Sequence, residues 1–247
     1  MSRYLLKISY DGTAYHGWQV QPNGITVQQV LCEKLSEITK ESIGVTGCSR
    51  TDSGVHAKEF YCHFDCDKNI PEKAFVLGLN AILPSDIAVY KCIKVPDEFH
   101  ARYSAKGKEY VYTFFDGEIL SPFYRNFAYK TDRKIDVLKM NKFCESICGT
   151  HDFAAFSSAK RTVEDTVRTV YYCHAQRSGD FVKLTVRADG FLYNMVRIIA
   201  GTALEASYGK IKDFENIFSR DDAGITLPAH ALILNKVFYG EEDDIIG

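Results

Sequence analysis

Twice along this chain the hydrophobic pattern switches between strand and helix periodicity in the same order, and that order admits few folds. Arg3 to Tyr10 alternates, with Tyr4, Leu6, Ile8 and Tyr10 on one face, and stops at Asp11-Gly12, which reads as a strand and a turn. Thr26 caps a helix to about Thr39, with Val27, Val30, Leu31, Leu35 and Ile38 at helical spacing. A short apolar run, Ile43 to Val45, and a longer alternation, Lys58 to Asp65, follow as strands. Pro71 opens a helix through Ala81, Pro84-Ser85-Asp86 breaks the chain, and Ile87 to Val95 is a strand. The first hundred residues therefore read β-α-β-β-α-β.

The second half repeats that order without repeating the residues. Lys106 to Phe115 is a strand, Ile135 to Gly149 a helix, and Val167 to Gln176 with Phe181 to Ala188 a hairpin about Ser178-Gly179-Asp180. Phe191 to Tyr208 is a helix, Asp213 to Phe218 a short additional one, and Ala231 to Tyr239 a closing strand. Two tandem split-βαβ halves, 1–100 and 101–247, define an α+β fold with mainly antiparallel sheets and helices on one face. No Pro-, Gly- or Ser-rich linker separates them. The join, Pro96 to Ser104, is dense in functional residue types, Phe99-His100-Ala101-Arg102-Tyr103. Halves joined that tightly pack side by side, and the cleft between them is the expected place for a site.

Between the two central strands of the first half lies Gly47-Cys48-Ser49-Arg50-Thr51-Asp52-Ser53-Gly54-Val55-His56-Ala57. Gly47 and Gly54 permit backbone angles that bulky residues resist, and a guanidinium, a carboxylate and an imidazole sit between or beside them. Such a loop presents one central acid, or it is a polar surface turn. Asp52-Ser53-Gly54 also matches the D-S/T-G of aspartic proteases, but those need two such aspartates sharing a proton, and this chain has no second one. Arg50, two residues away, would also hold Asp52 ionised.

The whole window resembles the G-x-x-R-T-D-x-G-V-H-A loop of the tRNA pseudouridine synthase A family, with Cys48, Ser49 and Ser53 where smaller residues are more usual. The resemblance implies that Asp52 is the catalytic nucleophile. It extends to Lys106-Gly107-Lys108-Glu109-Tyr110-Val111-Tyr112, where Tyr110 would stack on the uracil and take part in proton transfer. The bland reading of Tyr110 is a core tyrosine, the role expected of Tyr112 on the same face. A third segment, Asp189 to Arg197, implies that Arg197 partners the Asp52 carboxylate and holds it ionised. The alternative is an arginine that snorkels to solvent. Leu232, in His230-Ala231-Leu232-Ile233-Leu234, matches a leucine that covers the other face of the uracil, although the family more often has G-L-Y-L here. The family also implies two α/β halves with the active cleft between them, an anticodon stem-loop substrate in tRNA, base flipping and a homodimer. The isomerisation involves no redox step and no net hydrolysis, so neither cofactor nor metal is expected.

Composition narrows the remaining classes. A hydrophobic share of 46% with 25% charged residues is that of a soluble globular protein. No run reaches the length of a membrane span and Met1-Ser2-Arg3-Tyr4 opens no signal peptide, so a cytosolic protein is expected. A net charge of −2 argues against indiscriminate nucleic-acid binding, so RNA contacts must come from a local basic surface. Arg50 is placed to fill the space a flipped base leaves, and Lys106, Lys108, Lys160, Arg161 and Arg168 are the phosphate-contact candidates. None of the eight cysteines forms C-x-x-C. Cys62/Cys66 and Cys144/Cys148 read as buried thiols, with a zinc site including His63 as the competing reading. Against an RNA-modifying enzyme stands an RNA-binding module or RNA chaperone, which needs no buried acid.

Overall fold

The computed structural model describes residues 1–158, 165–211 and 213–240. They form two compact units: Met1–Lys106 together with the chain from Leu234 onward, and Gly107–Ile233.

The first unit holds β1 (Ser2–Tyr10), α1 (Val27–Thr39), β2 (Val45–Gly47), β3 (His56–Cys66), α2 (Glu72–Ile82) and β4 (Ile87–Val95). β1 is central, antiparallel to both β4 and β3, with Tyr4 opposite Phe64, Leu6 opposite Cys62 and Ile8 opposite Phe60. The alternation expected of β1 holds, but Leu5 on its other face is also fully buried. Thr26 caps α1, its hydroxyl accepting from Gln29 N–H at 3.3 Å, and Lys40, at φ 58°, ends the helix in a left-handed residue. Val27, Leu31 and Leu35 of α1 and Phe75 and Leu79 of α2 are the buried stripes. Phe75 packs against Tyr4 and Phe64, with ring centroids 5.0 and 5.2 Å away. Each such side chain removed from water contributes roughly 1.5–3 kcal/mol.

The second unit runs β5 (Gly107–Phe115), β6 (Tyr129–Lys130), α3 (Val137–Ser146), β7 (Gly149–Asp152), β8 (Val167–Ser178), β9 (Phe181–Ala188) and α4 (Met195–Ser207). Its strand order is β5-β9-β8-β7, all antiparallel, with β6 added in parallel to β5. Tyr112 and Phe114 of β5 and Leu184 and Val186 of β9 are buried, and α3 packs on α4. Below this sheet the Asp116 carboxylate, fully buried, takes two-point bonds from Arg177 at 2.9 and 2.6 Å and a third from Ile135 N–H at 2.9 Å.

The mainly antiparallel α+β reading stands, and five details differ from it. The boundary falls after Lys106 instead of at 100, and β10 (Leu232–Phe238) runs beside β3, so from Leu234 the closing strand belongs to the first unit. Sequence order alone had put it in the second half; strand pairing decides otherwise. Ile43 precedes β2 instead of opening it. α4 begins at Met195, not Phe191, because Asn194 sits at φ 63° in the left-handed region, which a helix cannot pass through. The expected helix at Asp213 to Phe218 is a single 3-10 turn, Phe214–Asn216. β6 and β7, of two and four residues, are too short to show a period.

Candidate active site

Asp52 lies in the loop between β2 and β3, and the segment after β1 pins that loop from outside. Trp18 N–H donates to Thr51 O at 3.1 Å, and the Thr51 hydroxyl is 2.8 Å from the Tyr10 hydroxyl. Tyr15 O accepts from Gly54 N–H at 3.3 Å and from the Ser53 hydroxyl at 3.2 Å. The buried His56 ring places Nδ1 3.0 Å from Gly12 N and 3.0 Å from Asp11 Oδ1. Burial works against ionising Asp11, but the Thr13 hydroxyl and amide and His56 outweigh it and lower its pKa. Behind the loop the Trp18 ring stacks on Phe60 at 4.1 Å. Of the two glycines expected to free the backbone, Gly54 does so at φ 81°. Gly47 serves close approach instead, since a Cβ there would lie 2.5 Å from the Trp18 ring. Asp52 itself is half-buried, on a backbone that closes a turn through Val55 N–H to Asp52 O at 3.1 Å.

Gly17 is the tightest point of this clamp. It sits at φ +83°, and a Cβ there would meet Thr51 O at 2.5 Å. Gly17→Ala is therefore expected to push the Asp52 loop away from its seat, with a stability loss of about 1–3 kcal/mol. Urea denaturation checks the loss; a variant as stable as the parent would show the clamp to be slack.

The other candidates belong to the second unit. Tyr110 is buried on β5, with the Phe191 ring edge-on at 5.2 Å and Val186 opposite across the strand pair. Tyr112, two residues on, is a core residue whose hydroxyl donates to Pro228 O at 2.9 Å, and burial pushes its pKa up. Arg197 lies on α4, half-buried. Its Nε donates to Leu227 O at 2.7 Å and its Nη1 to Asn194 Oδ1 at 2.8 Å, so two acceptors fix the plane of the guanidinium. Tyr193, Asn194 and Arg197, three and four positions apart, do not share one helical face. Tyr193 and Asn194 precede the helix, Tyr193 is exposed, and Asn194 meets Arg197 through its left-handed turn. Leu232 is buried at the start of β10, just after the 3-10 turn Ala229–Ala231.

Among the basic candidates, Arg50 and Lys106 are exposed and Lys108 is half-buried. Arg168 is tied to its own strand, with Nη1 donating to Val167 O and 4.0 Å from Asp165 Oδ2. Lys160 and Arg161 lie outside the described residues. Cys62 and Cys66 are buried on β3 and Cys144 on α3; burial pushes the Cys62 thiol well up, and also that of Cys173 beside Cys144. Among the described residues no three His, Cys, Asp or Glu side chains are grouped to hold a metal ion. The supports that sequence reasoning missed are Tyr10 and Asp11, which read only as a strand end and its turn, and Tyr15 and Trp18, whose only signal was an aromatic-rich loop after the first strand.

The first unit thus carries a carboxylate on a pinned loop, and the second a buried tyrosine and a guanidinium oriented by two acceptors. The family described as tRNA pseudouridine synthase matches residues 7–104 and 143–240 of this chain. The chain belongs to that family, whose members are isomerases. Its relatives include "tRNA pseudouridine synthase A 2" of Clostridium perfringens (strain 13 / Type A), 44% identical across 97% of this chain and 100% of the relative. "tRNA pseudouridine synthase A" of Thermoanaerobacter sp. (strain X514) is 40% identical across 97% and 100%, and that of Geobacter sp. (strain M21) 42% across 98% and 100%. Among solved structures, a chain of "Crystal Structure of a Cbf5-Nop10-Gar1 Complex" is 13% identical, covers 81% of this chain and 44% of that one, and has a TM-score of 0.37. No helix among the described residues is long and apolar enough to cross a membrane.

Proposed function

We propose that this protein isomerises uridine to pseudouridine in the anticodon stem-loop of tRNA, with Asp52 as nucleophile. The observation that carries the reading is the Asp52 loop, whose neighbours are fixed by hydrogen bonds with Trp18, Tyr10 and Tyr15 while one carboxylate is presented at its centre. In the net reaction the bond from N1 to the ribose breaks and a bond from C5 to the ribose forms. The C5 hydrogen is lost and N1 gains one, so atoms balance without a co-reactant. The carboxylate bonds to the ribose carbon as the bond to N1 breaks and is released as the bond to C5 forms, splitting one difficult exchange into two steps. Tyr110 stacks on the uracil, Leu232 covers its other face, and Arg197 keeps the carboxylate ionised. The base leaves the helical stack to reach this site, at a cost of a few kcal/mol offset by stacking and hydrogen bonds. Arg50 fills the space it leaves. The same family reading carries a cytosolic homodimer, with one RNA touching both subunits.

Incubating the protein with an unmodified tRNA transcript and locating new pseudouridines by chemical mapping tests this function. Modification at the anticodon stem-loop supports it; an unmodified transcript refutes it.

Phosphate contacts make the binding salt-dependent. Lys106→Ala is expected to lower the slope of log affinity against log salt by about one. Arg168→Ala should lower it less, because that guanidinium is already committed to Val167 O. Titrations of tRNA binding at several salt concentrations read both slopes, and an unchanged slope for Lys106→Ala places the RNA on a different surface.

A further inference from the structure

Residues 96–104, which follow β4 within the first unit, form a turn with an unusual number of ties. Arg3, itself gripped two-point by Asp65 at 2.8 and 2.9 Å, donates to Phe99 O at 3.0 Å and to Asp97 O. Ala101 is fully buried; its N–H donates to His63 Nδ1 at 3.1 Å and its carbonyl accepts from the Tyr239 hydroxyl at 2.7 Å. His100 Nδ1 accepts from Arg102 N–H at 3.1 Å and Tyr103 N–H at 3.2 Å, while Ser104 Oγ accepts from His100 N–H at 3.0 Å. Both imidazoles must be unprotonated at Nδ1 to accept these bonds. Burial and the Arg3 charge favour that state, lowering His63 to about 4 and shifting His100 in the same direction.

The rings are in contact: His63 meets His100 edge-on at 4.9 Å and His100 meets Tyr103 at 4.3 Å with planes tilted by 32°, a file that starts on buried β3 and ends on a tyrosine that is 76% exposed. The Arg102 guanidinium lies 5.8 Å from the Tyr103 ring centre. The turn thus holds an exposed aromatic ring, with a half-buried cation beside it, on a fixed backbone. That is the pairing which binds single-stranded nucleic acid, where a base stacks on the ring and a phosphate meets the cation. A base within a duplex has both faces covered and cannot extend the file.

We infer that Arg102 and Tyr103 form a contact for an unpaired nucleotide of the RNA substrate, the base extending the ring file on Tyr103 and the phosphate meeting Arg102. The inference rests on the proposed action on tRNA. Aromatic stacking of one base is worth about 1–3 kcal/mol, which corresponds to about a five- to 150-fold change in affinity.

The test measures binding of an unmodified tRNA transcript to the full-length protein at several salt concentrations. Tyr103→Ala is expected to weaken binding by about tenfold with an unchanged salt slope, and in turnover the loss should fall on KM more than on kcat. Tyr103→Phe, which keeps the ring, should bind within about twofold of the parent. Arg102→Ala should lower the salt slope by about one. Unchanged binding by Tyr103→Ala, or equal damage from Tyr103→Phe and Tyr103→Ala, overturns the inference. If the parent binds and modifies tRNA while these variants match it, only this inference fails. If the parent does not bind tRNA, the proposed function fails with it.

Discussion

Asp52→Asn should abolish pseudouridine formation, by at least about a thousandfold, while leaving unfolding free energy and tRNA affinity close to the parent. The amide has nearly the shape of the carboxylate but cannot act as a nucleophile, and removing the nucleophile of a covalent mechanism removes most of its acceleration. The loop should survive the change because the bonds that pin it run through Thr51, Ser53, Gly54 and His56. Retained binding therefore separates chemistry from folding. Single-turnover modification of a tRNA transcript, with urea denaturation and a binding titration on the same variant, checks all three. Activity within about tenfold of the parent would remove Asp52 from the mechanism, and an equal loss of binding would make it a structural residue.

The fold of each unit was legible where a period ran long enough to be read. β1, β3, α1 and α2 each carry at least eight patterned residues between clear stops such as Asp11-Gly12, Pro71 and Pro84, and their positions agree with the sequence to within a few residues. What escaped was set by single residues or by distant pairing. Asn194 adopts a left-handed conformation that no periodicity announces, which shortens α4 and moves Tyr193 off the helix. The closing strand lies beside β3, which is far from it in sequence, and tandem order carries no sign of that pairing. The nucleophile candidate was legible because its loop is a dense, ordered motif. Its supports were not, because Tyr15 and Trp18 act mainly through a backbone carbonyl and a backbone amide, which leave no trace in residue identity, and the Tyr10 hydroxyl meets a partner 41 residues away.

The ties around Asp52 and around residues 99–103 share a design. In both, polar side chains and backbone groups fix a short irregular segment that carries the side chain proposed to react or to bind. Irregular backbone loses more conformational entropy on ordering than its few apolar contacts recover, so the hydrogen bonds decide whether it stays in one shape.

The largest expected stability effect lies away from both segments, at Asp116. Its carboxylate has no exposed side-chain surface, and Arg177, Ile135 N–H and Lys134 are its partners. Burial alone would raise its pKa, but the Arg177 bonds, then Ile135 and Lys134, outweigh burial and hold it lowered to about 2. A carboxyl with a depressed folded pKa stabilises the protein above its unfolded value, and that stability is lost as pH falls from about 4 to about 2. The difference corresponds to about 2 kcal/mol. Arg177→Met leaves the carboxylate buried with one amide and an exposed lysine, and breaking a buried pair from one side costs about 3–5 kcal/mol. Burial then dominates, so the variant's Asp116 binds a proton more readily folded than unfolded. Its stability relative to the parent should therefore improve as pH is lowered through about 4. Urea unfolding of both proteins at pH 7, 5, 4 and 3 measures the gap, and taking the difference cancels groups common to both. A gap of about 3 kcal/mol or more at pH 7 that narrows progressively as pH falls to 3 is expected. A gap under about 1 kcal/mol, or one that does not change with pH, would show that the Asp116 site does not depend on Arg177.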